Sequence, residues 1–214
     1  MTLPVILIGA GDHAKVLLST LKALNREVLG LTDSQKLSGA NPQSGFSVLG
    51  SDDQILNYAP EVIDLINGIG SIVSMQKRSD IYLKFKRSGY SFATVVHPSA
   101  LIMDDVRLGE GVQIMAGAVI QSGCLIGANS IINTGAVVDH DCRIGEHVHV
   151  APGAVLSGGV RIDSRTHIGT GAVVIQGIKI GRDAIIGAGA VVVRDIPDGV
   201  QALGVPAKTI RKRG

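Results

Sequence analysis

The sequence predicts a small α/β domain with a Rossmann-like parallel sheet over residues 1–94, followed by an all-β parallel β-helix over residues 95–214. A strand, a glycine turn and a helical pattern open the chain and indicate the first part. An aliphatic residue at every sixth position from 102 to 192 indicates the second. Apolar residues make up 45% of the 214 residues but aromatic ones only 3%, so Ile, Val, Leu and Ala must fill the core.

The first domain opens with LPVILIGAGDHAKVLLSTLKAL, which reads as strand, turn and helix. Gly9 and Gly11 form a G-x-G turn, and Ala14 stands where a dinucleotide fingerprint has its third glycine. A second strand, EVLGLTD, ends at Asp33, about where such folds carry a ribose-binding acid. The segment VIDLINGIGS predicts a further strand and turn, and residues 77–87 predict a helix.

This turn predicts a nucleotide site, with a plain tight turn as the alternative. Backbone amides at a helix N-terminus suit the diphosphate of any nucleotide. The domain is too short for the two mononucleotide halves of an NAD-binding fold, and a β-helix follows where a dehydrogenase would have its substrate domain. A single nucleotide attached to another group therefore fits better than NAD.

The second half has a period of six residues, which neither a helix nor a hairpin sheet generates. A small or β-branched residue stands two positions before the next aliphatic one, so both point to the same face of a short strand. The other residues form a corner, where Gly, Asp and Asn tolerate positive φ. Three strands and three corners make an 18-residue coil, and the coils stack about 4.8 Å apart. The aliphatic positions are Ile102, Leu108, Ile114, Ile120, Ile126, Ile132, Val138, Ile144, Val150, Leu156, Ile162, Ile168, Val174, Ile180, Ile186 and Val192.

Composition disfavours several classes of protein. The formal charge of +2 is too small to predict a nucleic acid or an anionic membrane as the main partner. The apolar opening segment is too short for a signal peptide, and no stretch reaches the ~20 apolar residues of a spanning helix. Cys124 and Cys142 occupy the small inward position one coil apart, so they are expected in the core. The chain is therefore expected to be cytoplasmic, without membrane insertion.

One corner, in VVDHDC, carries three polar residues. The repeat points Val138 and Cys142 inward, which leaves Asp139, His140 and Asp141 at the corner. Histidine titrates near neutrality and is the usual general base, and a carboxylate on its second ring nitrogen fixes the tautomer and raises its basicity. The corner is thus a candidate catalytic site, and a solvated turn is the alternative.

The hexad repeat resembles the left-handed β-helix of the hexapeptide acyltransferases over residues 96 to about 208, including the closing GAGAVVVRDIPDGVQALGVPAK. The two-part arrangement resembles the nucleotide-sugar N-acetyltransferases that act on UDP-4-amino sugars and GDP-perosamine, and equally the sialic acid O-acetyltransferase family. INTGAVVDHDCRIGEHVHV resembles the catalytic coil of the sugar N-acetyltransferases. The resemblance implies acetyl-CoA as cosubstrate, no required metal, direct attack without an acyl-enzyme, and a homotrimer with coenzyme A between adjacent helices.

The resemblance also assigns roles to residues. It makes His140 the general base and Asp141 the acid that tunes it. It makes His149 a hydrogen-bond donor to the thioester carbonyl. The implied acetyl-CoA-binding residues are His149, Gly169, Thr170, Gly187 and Ala188. The implied substrate-binding residues are Gly11, Asp12, His13, Thr32, Asp33, Gly70 and Asn133. Thr32 departs from the acid that the family often has there, which leaves the nucleotide base open among UDP, GDP, dTDP and CMP.

Three other functions remain open at this point. An O-acetyltransferase of the sialic acid type would need the same base for a hydroxyl acceptor. A metal hydratase of the γ-carbonic anhydrase type would bind zinc through three histidines from two protomers. A non-catalytic nucleotide-sugar-binding module would need no base. The sugar, the acetylated carbon and the glycan pathway are also open.

Overall fold

The N-terminal part is a five-stranded sheet with helices packed on it. The structure, a computed structural model, describes residues 2–34, 39–40, 45–71 and 74–210. The strands are β1 (Val5–Ile8), β2 (Val28–Thr32), β3 (Gly39–Ala40), β4 (Ser47–Gly50) and β5 (Asp64–Asn67), in the order β3-β4-β2-β1-β5. All neighbours are parallel except β3 and β4. The helices are α1 (Asp12–Ala23), α2 (Gln76–Arg87) and a 3₁₀ helix (Asp52–Asn57).

The buried face of helix α1 differs from the one that the sequence pattern predicts. The pattern predicts Val16, Leu17, Leu21 and Leu24 on the buried side, and the structure buries Leu17 and Leu21. Val16 and Leu24 are 44% and 42% exposed, and Leu18 is buried instead. Leu24 lies beyond the last turn as the C-cap residue, and Val16 lines a pocket. The buried face of α1 is thus turned toward Leu18 compared with the face that the pattern indicates.

The second half forms the predicted left-handed β-helix, a triangular prism with three parallel sheets, here called faces 1 to 3. Face 1 consists of Val95–Val96, Gln113–Ile114, Ile131–Ile132, His149–Val150, His167–Ile168 and Ile185–Ile186, extended by Gln201–Leu203 and the antiparallel Lys208–Ile210. Face 2 consists of Leu101–Ile102, Val119–Ile120, Val137–Val138, Val155–Leu156, Val173–Val174 and Val191–Val192. Face 3 consists of Arg107–Leu108, Leu125–Ile126, Arg143–Ile144, Arg161–Ile162 and Lys179–Ile180.

Each coil aligns with the next in the 18-residue register that the hexads predict, as in the pair of Val119 with Val137. The aliphatic and small inward residues form one buried core, which includes Cys124 and Cys142 at 0% exposure, as expected. The corners between faces 1 and 2 are called edge 1–2, and those between faces 2 and 3 edge 2–3. The first domain packs on face 1, where Met115 and Ile131 join the core of α1 and β1. None of the described helices has the length and apolarity needed to cross a membrane.

Candidate active site

The polar corner lies on edge 2–3, where His140 and Asp141 form an exposed pair. The Nδ1 atom of His140 lies 2.9 Å from Oδ2 of Asp141, so Nδ1–H donates to the carboxylate and Nε2 carries the lone pair. The His140 amide donates to Oδ1 of Asp139 over 2.8 Å. The hydrogen bond to Asp141 raises the pKa of His140 above its ordinary value of 6.5. The pair thus presents a basic nitrogen to whatever occupies this edge.

A separate cavity of about 640 Å³ lies between the first domain and edge 1–2. Most of the predicted substrate-binding residues line it, together with His149 of the predicted coenzyme set. These lining residues are Gly11, Asp12, His13, Asp33, Gly70, Asn133 and His149. The first domain and the β-helix therefore build this pocket together.

The turn after β1 leaves room for a ligand at the start of α1. Gly9 has a φ of 97°, which favours glycine, and the amide of Ala10 donates to Oδ2 of Asp33 over 3.1 Å. Gly11 is the N-cap of α1, and a Cβ there would meet nothing within 4 Å. Open space in front of the free amides of a helix N-terminus suits an anionic group such as a diphosphate.

Thr32 lies differently from the expectation that it meets the nucleoside. It is fully buried, and its hydroxyl donates to Oδ1 of Asp52 over 2.7 Å. Asp52, which the sequence pattern did not single out, lines the pocket in its place. The exposed Lys77 in the first turn of α2 also lines the pocket. The sequence pattern does not single it out, although a lysine at the start of a predicted helix is a visible signal.

A chain of hydrogen bonds fixes the tautomer of His149. The Thr134 amide donates to Oδ1 of Asn133 over 2.8 Å, which turns Nδ2 of Asn133 toward Nε2 of His149 at 3.0 Å. Nδ1–H of His149 then donates to the Ser71 hydroxyl over 3.0 Å, and that hydroxyl donates to Nδ1 of His167 over 3.3 Å. Nε2 of His149 is therefore an acceptor rather than the expected donor. The second amide hydrogen of Asn133 remains available to a ligand.

The wall behind the pocket contains a buried cation. The Arg78 guanidinium donates to the carbonyl oxygens of Asn129, Asn67 and Ile69 over 3.0, 2.8 and 2.8 Å. Its Nη2 finds no acceptor among the residues that the structure describes. Burial lowers the pKa of Arg78 itself to about 9. Burial and the Arg78 charge lower the pKa of His13 to about 4, so this histidine is neutral near pH 7.

The predicted coenzyme residues Gly169, Thr170, Gly187 and Ala188 lie on edge 1–2, two and three coils beyond Asn133. A Cβ at Gly169 would stand 2.6 Å from the Ala188 nitrogen, so glycine is needed there for the coils to stack. His140 and Asp141 lie on the other side of face 2. One chain therefore does not bring the pocket and the basic pair together. Within the described ranges no group of three or more His, Cys, Asp or Glu side chains is placed to hold a metal ion.

Family models match both parts of the chain. Residues 4–85 match the PglD N-terminal domain. Residues 105–140 and 123–158 match the bacterial transferase hexapeptide of six repeats, and residues 159–194 match the hexapeptide repeat of succinyl-transferase. The search of curated proteins gave no match.

Solved structures resemble the chain over almost its whole length. The acetyltransferase domain of PglB from Neisseria gonorrhoeae is 36% identical, with 97% of this chain and 99% of that chain covered and a TM-score of 0.90. A variant of the GDP-perosamine N-acetyltransferase from Caulobacter crescentus, in complex with CoA and GDP-perosamine, is 41% identical, with 98% and 97% covered and a TM-score of 0.90. WeeI from Acinetobacter baumannii is 27% identical, with 98% and 100% covered and a TM-score of 0.85.

Proposed function

Because this chain belongs to the hexapeptide-repeat nucleotide-sugar N-acetyltransferases, we propose that it transfers the acetyl group of acetyl-CoA to the amine of a nucleotide-linked sugar, with His140 as the general base. The observation that carries the proposal is the exposed pair of His140 and Asp141, whose geometry suits proton abstraction. The family makes the enzyme an acetyltransferase, which disfavours the alternative of a metal hydratase.

In the proposed reaction the neutral sugar amine attacks the thioester carbonyl. A C–N bond forms, the C–S bond breaks, and Nε2 of His140 accepts the proton that the nitrogen loses. Asp141 stabilises the imidazolium, which then returns the proton to the departing thiolate of coenzyme A. The pantetheine chain runs along edge 1–2 past Gly169 and Gly187, and Asn133 offers its free amide hydrogen to the ligand.

The nucleotide occupies the pocket at the start of α1. The open amides at Gly11 and the Lys77 ammonium hold the diphosphate, and Asp33 and Asp52 lie on the nucleoside side. This assignment replaces Thr32 with Asp52 as the group that faces the ligand. We place the reaction in the cytoplasm, and the free thiols of Cys124 and Cys142 suit a reducing compartment.

The test is an assay of purified protein with acetyl-CoA and a panel of UDP-, GDP-, dTDP- and CMP-linked 4-amino sugars. We expect release of free thiol and an acetylated product with one nucleotide class. Hydroxyl analogues of the same sugars are the matched control. Turnover of the hydroxyl sugars alone would favour the O-acetyltransferase alternative, and binding without turnover would favour the non-catalytic module.

The pH profile tests the role of Asp141. His140 is active only when deprotonated, and its raised pKa moves the acid limb of kcat/KM to higher pH than an ordinary histidine would give. In Asp141→Asn the carboxylate charge is lost, so the pKa of His140 falls and the acid limb moves to lower pH, with a lower maximal rate. Measuring kcat/KM against pH decides this, with the exposed corner variant Asp163→Asn as control. An acid limb that does not move would contradict the pairing.

We further propose a homotrimer, because one chain leaves its site incomplete and face 2 is apolar. The outward residues of face 2 are Leu101, Val119, Val137, Val155, Val173 and Val191, whereas four of the five on face 3 are Arg or Lys. Edge 1–2 and edge 2–3 border face 2. Packing copies across it brings the His140 corner of one copy to the pocket of the next.

Val173→Glu tests this assembly, because it buries a charge in the proposed interface. We expect loss of the trimer by analytical ultracentrifugation and loss of acetyl transfer, with the circular dichroism spectrum unchanged. Arg161→Glu, a charge change on face 3, should remain a trimer and stay active. A Val173→Glu protein that is still trimeric would rule out face 2 as the interface.

A further inference from the structure

The imidazole of His140 lies directly against Gly158, the residue one coil further along the prism. A Cβ added at Gly158 would overlap Nε2 of His140 and stand 2.6 Å from Cε1 and 3.0 Å from Cδ2. Real Cβ atoms essentially never approach other atoms as closely as the first two. The amide of Gly159 donates to the His140 carbonyl over 2.8 Å, which holds the two coils in register. The glycine therefore forms a recess that the imidazole fills.

The fold does not require glycine at this position. Gly158 is the second corner residue of its hexad, and its φ is not in the left-handed region, unlike that of Gly159 at 69°. The second corner position occurs sixteen times between residues 98 and 188. All fifteen hexads apart from that of Gly158 have a residue with a side chain there. These residues are Pro98, Asp104, Glu110, Ala116, Ser122, Ala128, Thr134, His140, Glu146, Pro152, Ser164, Thr170, Gln176, Arg182 and Ala188. The backbone thus accepts alanine at this phase, and within the described chain the neighbouring imidazole is what a side chain at residue 158 would meet.

Asp141, the carboxylate partner of His140, also lies against a glycine, which belongs to the preceding coil. A Cβ at Gly123, one coil before Asp141, would stand 2.5 Å from Oδ1 of Asp141. The φ of Gly123, 75°, already favours glycine, so this position has a second cause. The pair of His140 and Asp141 therefore lies between two glycines, of which only Gly158 lacks a backbone reason.

We propose that Gly158 is a positioning residue for the general base. The missing side chain leaves the space in which the His140 ring keeps Nδ1 on Asp141 and directs Nε2 toward the acceptor amine. A methyl group at residue 158 pushes the ring aside, because an exposed imidazole rotates more easily than two stacked coils separate. The inference rests on the proposed role of His140.

Gly158→Ala tests the proposal. We expect an intact trimer with an unchanged or higher Tm, a kcat about 10- to 100-fold lower, and KM values near those of the unchanged protein, since small misplacements of a reacting group cost rates of that order. The His140 pKa, followed by NMR titration of its ring signals, should fall toward the ordinary 6.5 as the contact with Asp141 weakens. Gln176→Ala, the same column one coil further on, is the matched control.

A double-mutant cycle separates this effect from any other. In the His140→Asn background, Gly158→Ala should cause no further loss of activity. An equal loss in both backgrounds, or an unchanged kcat and His140 titration in the single variant, would overturn the inference. The NMR titration needs no turnover, so it decides the fit of the imidazole even if the acetyl-transfer proposal fails.

Discussion

Replacing His140 with asparagine lowers kcat by a factor of about 10² to 10⁴, the usual contribution of a positioned general base. Asparagine still donates a hydrogen bond to Asp141 but cannot take up the proton of the attacking amine. The exposed corner tolerates the change, because the His140 side chain is 53% exposed and fills no core space. Steady-state kinetics with acetyl-CoA and the preferred amino sugar measure the loss, with KM expected to change little.

The matched control is His97→Asn, which alters a corner histidine on edge 1–2 whose side chain bonds only to Ser99 among the described residues. It should retain most of the activity and the same Tm. The loss in His140→Asn should grow as the pH rises through the His140 pKa, because the base of the unchanged protein becomes deprotonated and active in that range. A variant that keeps more than a tenth of the kcat would remove His140 as the base and leave the corner as a solvated turn.

The β-helix could be read from the sequence because its repeat is strictly local. Each hexad sets one strand and one corner, and the same register then places every coil without tertiary information. The same reasoning put His140 and Asp141 side by side on an edge, since adjacent corner residues need no distant partner. Local periodicity thus predicted both the fold and the candidate base.

The pocket was less predictable because its polar groups depend on contacts between distant segments. Asp52 replaces Thr32 at the ligand face only because the 3₁₀ helix packs beside β2. The tautomer of His149 depends on Ser71, 78 residues earlier in the chain. In the sequence Gly158 is one more corner glycine, and only the packing of the two coils brings the ring of His140 against it. Such pairs have no signature in a single sequence, so they emerge only from packing.

Arg78 also joins distant segments, and Arg78→Met should lower the free energy of unfolding by about 3 kcal/mol. The buried carbonyl of Asn129 and the partly buried carbonyl of Ile69 lose this donor, at about 1–3 kcal/mol each, whereas the Asn67 carbonyl keeps a hydrogen bond from Nε2 of Gln113. Recovering the desolvation cost of the buried cation offsets part of this loss. Methionine keeps most of the apolar stem, so the packing change is small. Urea unfolding followed by circular dichroism measures the difference.

The pH dependence of the stability loss in Arg78→Met separates the effect of the Arg78 charge from the effect of its hydrogen bonds. Burial and the Arg78 charge hold the pKa of His13 and His147 at about 4, below the ordinary 6.5, so both resist protonation in the fold. The unfolded chain therefore binds more protons between pH 6.5 and 4, and the stability falls as the pH drops through that window. Removing the Arg78 charge eases that fall, so the penalty of Arg78→Met should be smaller at pH 5 than at pH 7.5. Arg87→Met, an exposed change at the end of α2, should shift stability by less than about 0.5 kcal/mol at either pH. A loss in Arg78→Met no larger than in that control would mean that the guanidinium does not hold the two parts of the chain together.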